Sequence, residues 1–517
     1  MKKINRDHKV RKFHQAKWDE PIIFELSKKG QRGVLPPKVE EEIEEAVGIG
    51  LSRIPESMRR REEPNLPEVS QHIVLRHYLR LSQETIGADF NVEIGQGTCT
   101  MKYSPKVNET LAKMNKITEL HPYQDTSTTQ GILEITYKLD TFLREISGMD
   151  RFSFQPGSGS QAIMAMASIV RAYHEKNNNT HKDEIITTMF SHPSDAAAPA
   201  LKGYKIITIY PDKEGYPDFE AFKAAVSERT AGFIIANPED TGVYNSRIKE
   251  FTDLVHKVGG LCCYDQANAN GLLGVTRAKE AGFHMCFFNL HKTFSTPHGC
   301  GGPATGALGV TKELESFLPA PIVDFNGEEY FLNYNLENSI GKVRSFYGVP
   351  QVVLKAYSWI MSLGGEGLYE VGKVAVLNNN YLFKKVLEIK GASAPYIEGK
   401  QRIEQVRYSF EKLYEDTGVT IEEFQNRMFD FGLHFWTSHH PYIVPSPFTL
   451  EPTETTSKED LDEYIEVLRH ISKECYENPE IVKTAPHNSV VHKIDYTVLD
   501  DEKKWCPSWR VYKNIAK

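Results

Sequence analysis

The sequence predicts an α/β fold organised on a mostly parallel sheet, and three observations predict it. Between Met149 and Leu308 short apolar runs alternate with helical patterns. The runs Ile206 to Tyr210, Gly232 to Ala236, Leu261 to Tyr264 and Cys286 to Leu290 have the length of buried strands. Chemically able residues follow directly on the ends of several of them, which is where α/β sheets present ligand-binding groups.

In chain order, residues 1–65 are polar and broken by Pro36, Pro37, Pro55 and Pro64, a composition that predicts an arm draped over something larger and suited to subunit contacts. From Thr129 onward Ile132, Ile135, Leu139, Phe142, Leu143 and Ile146 recur at steps of three and four, the pattern of an amphipathic helix. The strand and helix alternation follows. A stretch from Gly364 to Val376 links into a C-terminal region in which polar helices, Thr420 to Phe431 and Lys458 to Tyr476, flank strand-like segments. The expected organisation is an arm (1–65), a large domain (66–363) and a smaller C-terminal α/β domain (364–517).

Composition narrows the functional class. The chain has 517 residues, of which 40% are hydrophobic and 25% charged, as in a globular protein with a large core. A net charge of −8 argues against a general nucleic-acid binder, and the basic runs around Lys9 and Arg59 to Arg61 read as solvated faces. Seven cysteines without CxxC spacing fit buried thiols in a reducing compartment, with neither a disulfide framework nor a metal site expected. The N-terminus lacks an apolar signal core and no run is apolar enough for a membrane span, so the expected location is the cytoplasm.

The chemistry centres on NLHKTF, where Lys292 follows the apolar run Met285 to Phe288. A lysine where a buried strand runs out into a glycine-rich turn is suited to forming a Schiff base with a carbonyl cofactor. YDQAN puts Asp265 at the end of another strand, FSHPSDAA supplies His192, and QPGSGSQA supplies Gly157, Ser158, Gly159 and Ser160 just before an apolar helical segment. Small residues opening a helix let backbone N–H groups approach a phosphate, which the helix dipole also favours. These four features divide the tasks of pyridoxal 5'-phosphate binding. The glycine-serine loop holds the phosphate, Asp265 keeps the pyridine nitrogen protonated, His192 stacks on the ring and moves protons, and Lys292 holds the aldehyde. Ala267, on the same side of an extended chain as Asp265, packs on the opposite ring face.

Further candidates are Asn237 at a strand end, and Asn289 with His291 as phosphate ligands. Tyr123, His298 and Arg344 are candidates for the substrate, Arg344 because a guanidinium pairs with oxyanions in bidentate fashion. A turn cap serves equally for His298 and a surface ion pair for Arg344. Cys300 reads as a packing residue, and His439 with His440 as a surface or lid feature.

Over most of its length the chain resembles the pyridoxal-phosphate subunit (subunit 2) of glycine dehydrogenase (decarboxylating), the P-protein of the glycine cleavage system. NLHKTFSTPHG and CTMKY carry the resemblance most specifically; FELSKKGQRG, NLPEVSQHIVLRHYLRLSQ, ELHPYQ, QGILEITYKL, SIGKVRSFYG and LEPTET support it. The resemblance implies a pyridoxal-phosphate-dependent transferase of fold type I that decarboxylates an amino acid and passes the aminomethyl group to the lipoylated H-protein. It also implies a P-protein subunit 1 as partner, in a homo- or hetero-oligomer. Departures lie near the expected site: QPGSGSQAI stands for QPAAGAHGE, SHPSDAAA for AHGTNPAS, GCGGPA for GGGGPG, and 436–447 is longer and more aromatic than its counterpart. They suit a paralogue acting as decarboxylase, aldolase or aminotransferase on another amino acid. A third reading, a non-catalytic scaffold subunit, is opposed by the presence of Lys292 with Asp265 and His192.

Overall fold

The computed structural model describes residues 10–515 apart from 49–52, 63, 88, 97–98, 101, 298–301, 397–398 and 434–442. His298, Cys300, His439, His440 and most of the aromatic stretch 436–447 therefore lie outside the described residues. The strands are β1 (Gly95–Gln96), β2 (Arg151–Ser153), β3 (Glu184–Thr188), β4 (Lys205–Ile209), β5 (Thr230–Ala236), β6 (Leu261–Gln266), β7 (Met285–Asn289), β8 (Gly306–Val310), β9 (Ile322–Phe325), β10 (Tyr330–Asn333), β11 (Val406–Ser409) and β12 (Pro447–Glu451).

Seven strands form the main sheet in the order β2-β8-β7-β6-β5-β3-β4. The pairs from β4 to β7 are parallel, and β8 and β2 close one edge antiparallel. Fully buried parallel strands carry apolar side chains on both faces, and successive residues here divide between two cores. Ile186, Phe233, Ile235, Tyr264, Cys286 and Phe288 pack with Leu139, Leu143 and Trp359 from the helices Gln130–Ser147 and Pro350–Val386. Their neighbours Ile185, Ile234, Cys263 and Phe287 pack with Ile163, Met166, Ile169 and Val170 from the helix Gly159–Lys176. Ile163, which stands where the family loop carries an acid, is part of that second core.

The stretch expected to link the domains is helical. Gly364, at φ 65, breaks the helical geometry inside Pro350–Val386. Beyond it β12 pairs with both β11 and β1, and Gly95 lies opposite Glu451. The segment leading to CTMKY is thereby stitched to the C-terminal sheet. Among the described residues no helix is long and apolar enough to cross a membrane.

By contacts the chain forms two units. One unit comprises 1–11, 92–428 and 433–483, and holds both sheets described above. The other comprises 12–91, 429–432 and 484–517, so the expected arm joins the C-terminal end of the chain in a unit of its own. Within it the buried carboxylate of Glu20 accepts from Arg80 at 3.0 Å and pairs with His77 at 2.9 Å, and Phe24 stacks on Trp509.

Candidate active site

Parallel order puts the C-terminal ends of β5, β6 and β7 on one rim, and the side chains that follow them converge. His192, Asp265, Ala267 and Lys292 line one pocket, together with Phe190, Ala236, Pro238, Asp240, Asn268, Glu404 and Gln405. Asp265 is the fifth residue of β6 and is 6% exposed; Lys292 follows β7 by three residues and is 7% exposed. The Lys292 charge acts on Asp265, which is raised by burial and held back by the Ala267 N–H, donated to Oδ1 at 2.8 Å, and by Lys292. His192 caps the helix Pro193–Leu201, where its Nδ1 accepts the Ser194 N–H at 3.1 Å. The turn at Lys292 is fixed by its own N–H donating to the Asn289 carbonyl at 3.0 Å.

The phosphate loop lies at the N-terminus of the 18-residue helix Gly159–Lys176. Ser158 Oγ accepts the Gln161 N–H at 3.1 Å and Gln161 Oε1 accepts the Gly157 N–H at 2.6 Å. Gln161 thus orders the loop. A Cβ added at Gly159 would sit 2.9 Å from Asn289 Nδ2, and one at Gly157 would run into the Arg344 guanidinium. Arg344 and Asn289 therefore lie against the loop, in which Gly157 and Ser158 are partly exposed and Ser160 is exposed. Asn289 Oδ1 is buried and has no hydrogen-bond partner among the described residues.

Asn237 is bonded to Asn245: its Oδ1 accepts the Asn245 N–H at 2.8 Å and its Nδ2 donates to the Asn245 carbonyl at 3.2 Å. Tyr123 is half exposed, accepts from Lys342 Nζ at 2.8 Å and packs on Phe346, which lines a separate cavity of about 410 Å³ with His121 and Arg344.

Other residues near Lys292 carried no assigned role in the sequence. Glu451, from the LEPTET motif, accepts from Thr100 at 2.7 Å and from Asn268 at 2.6 Å; burial pushes it up to about 7, against the pull of Lys292. Lys102, from CTMKY, is buried, pairs with Glu454 at 2.9 Å and sits 4.8 Å above the Trp359 ring. Burial pushes Glu239 and Glu404 up to about 8. Both motifs were visible as family marks; only the fold brings them to one place.

No metal ligand set was expected from the sequence. Among the described residues, His256, Cys262 and His284 bring ligand atoms within 4.8 Å of one another near the opposite ends of β6 and β7. The backbone engages both imidazoles, since His284 Nδ1 accepts the Cys262 N–H and His256 Nε2 donates to the Gly282 carbonyl, each at 2.9 Å.

The residues present fit pyridoxal phosphate: a glycine loop that a Cβ would block at a helix N-terminus, a carboxylate at a strand end, and a buried lysine beside it. Fold and site together define a pyridoxal-phosphate enzyme of fold type I. Residues 153–322 match the class-V aminotransferase family, and 371–493 match the glycine dehydrogenase C-terminal domain. The probable glycine dehydrogenase (decarboxylating) subunit 2 of Pyrococcus horikoshii is 43% identical over 507 residues, covering 98% of this chain and 99% of its own. That of Caldanaerobacter subterraneus is 44% identical over 477 residues, covering 92% and 96%. The chain belongs to the glycine dehydrogenase (decarboxylating) subunit 2 family.

Solved structures agree on the fold. Inhibitor-bound glycine decarboxylase (P-protein) of the glycine cleavage system superposes with a TM-score of 0.69 at 20% identity, covering 85% of this chain and 100% of that one. A NifS-like protein gives 0.56 at 16% identity, covering 73% and 98%.

Proposed function

We propose that this chain decarboxylates glycine with pyridoxal phosphate and passes the aminomethyl group to the lipoyl arm of a carrier protein, the H-protein, working in the cytoplasm beside a P-protein subunit 1. The observation that carries the reading is the pairing of Lys292 with Asp265 in one buried pocket at the ends of adjacent parallel strands. When bound, the cofactor supplies an electron-withdrawing ring and an aldehyde carbon.

The chain's own residues do the rest. Lys292 Nζ would hold the aldehyde and, as an amine in the pocket, could move a proton there. Asp265 holds the ring nitrogen, Ala267 and His192 close the two ring faces, and Gly157 to Ser160 with Asn289, His291 and Arg344 hold the phosphate. Burial of Lys292, Asp265, Asn289 and His291 excludes water there and strengthens their charge interactions.

Exchange of labelled bicarbonate into the carboxyl group of glycine, with a lipoylated carrier and with or without the partner subunit, tests the reading. Exchange is expected. Its absence under both conditions, with turnover of another amino acid, overturns the choice of glycine.

A further inference from the structure

Asp195 lies in the first turn of the helix Pro193–Leu201, three residues after His192, and is fully buried. Apart from the His192 backbone N–H, neither of its oxygens has a hydrogen-bond donor among the described residues. The carboxyl of Asp265 acts on it both as a charge and as a side-chain hydrogen-bond partner. Two carboxylates in contact in a dry interior cannot both be charged; one must hold a proton and donate it to the other.

The surroundings decide which. Asp265 faces Lys292 and accepts the Ala267 N–H, and both favour its ionised form. Asp195 faces the charges of Asp265 and Glu239, and its own charge raises the Cys263 thiol; among the described residues the His192 backbone favours its charged form. Burial and the neighbouring Asp265 charge raise Asp195 well above the usual carboxylate range.

We propose that Asp195 is a positioning residue: it remains a neutral carboxylic acid and donates its O–H to Asp265, leaving Asp265 ionised to pair with the ring nitrogen of the cofactor. The second part rests on the function proposed above; the first does not. Without the donor, burial governs Asp265, which then takes up a proton itself and no longer acts as counter-ion to a protonated ring. The proton on Asp195 thereby keeps the cofactor's ring electron-withdrawing.

Two variants of the full chain test this. Asp195→Asn keeps a donor of the same shape that does not titrate, and Asp195→Leu removes the donor. Infrared spectra, recorded with and without pyridoxal phosphate, read the carbonyl stretch of protonated carboxyls. Wild type is expected to show one more such group than Asp195→Asn, whether or not the cofactor is present. With ¹⁵N-labelled pyridoxal phosphate bound, wild type and Asp195→Asn are expected to give a pyridinium resonance, and Asp195→Leu a resonance shifted to neutral pyridine. Raising the pH should bring an absorbance transition in wild type that Asp195→Asn lacks. An unchanged carboxyl band in Asp195→Asn, a pyridinium signal in Asp195→Leu, or the same alkaline transition in wild type and Asp195→Asn would overturn the proposal. Failure to bind pyridoxal phosphate would overturn the functional reading while the infrared result still decides the state of Asp195.

Discussion

Lys102 Nζ donates to the backbone carbonyl of Thr293 at 2.9 Å and so fixes the turn that carries Lys292. The two residues lie far apart in sequence, and the bond forms because β1 and β12 bring CTMKY to the pocket. Lys102 also neutralises Glu454 at 2.9 Å, in a site where the lysine side chain is 1% exposed. Lys102→Met leaves that acid buried without its cation, which costs ~3–5 kcal/mol. We expect a lower Tm and faster loss of bound cofactor on dialysis; a variant matching wild type in both would show that the contact does not support the turn.

Gly159 approaches Asn289 too closely for a side chain. Its added Cβ would stand 2.9 Å from Nδ2 and 3.1 Å from the Phe287 ring, both held in the core. Gly159→Ala is expected to cost ~1–3 kcal/mol through overpacking and to weaken pyridoxal phosphate binding by pushing the loop off the helix axis. Urea denaturation and cofactor titration measure the two effects, and unchanged affinity would remove this loop from the phosphate site.

Glu239 gives a pH dependence of stability. Burial pushes its carboxyl from 4.5 up to about 8 despite the hydrogen bond from Thr188. The folded state thus holds a proton that the unfolded chain releases. The contribution is fully present below 4.5 and is lost as pH rises to about 8, at up to ~1.4 kcal/mol per pH unit. Glu239→Gln does not titrate, so its Tm should fall less than that of wild type across this interval. Parallel curves would show that Glu239 is ionised when buried.

Glu451 changes charge close to Lys292. With its carboxyl at about 7, the absorbance of bound cofactor should show a component titrating near that value, and Glu451→Gln should remove it. Persistence of the component in the variant would assign it to another group.

The sheet was legible in the sequence because its strands are buried on both faces and read as continuous apolar runs. The four expected strands agree with β4 to β7 to within two residues at their ends. Asp265 and Lys292 were legible for the same reason, since strand ends in a parallel sheet share one rim. Asn237 meets that rule too, and its amide bonds to Asn245, a local contact that strand position does not reveal. Glu451, Lys102 and Glu404 were not legible as site residues because pairing between distant segments brings them in. The early polar stretch read as an arm because its apolar partners, such as Trp509 for Phe24, lie at the other end of the chain.

The central claim is that Lys292 carries the cofactor beside Asp265. Borohydride reduction of the yellow holoenzyme, followed by peptide mapping, tests it most directly. The account predicts cofactor mass on the peptide containing Lys292, and no trapped cofactor in a folded, inactive Lys292→Ala. Label on Lys102, or full activity in Lys292→Ala, would contradict it.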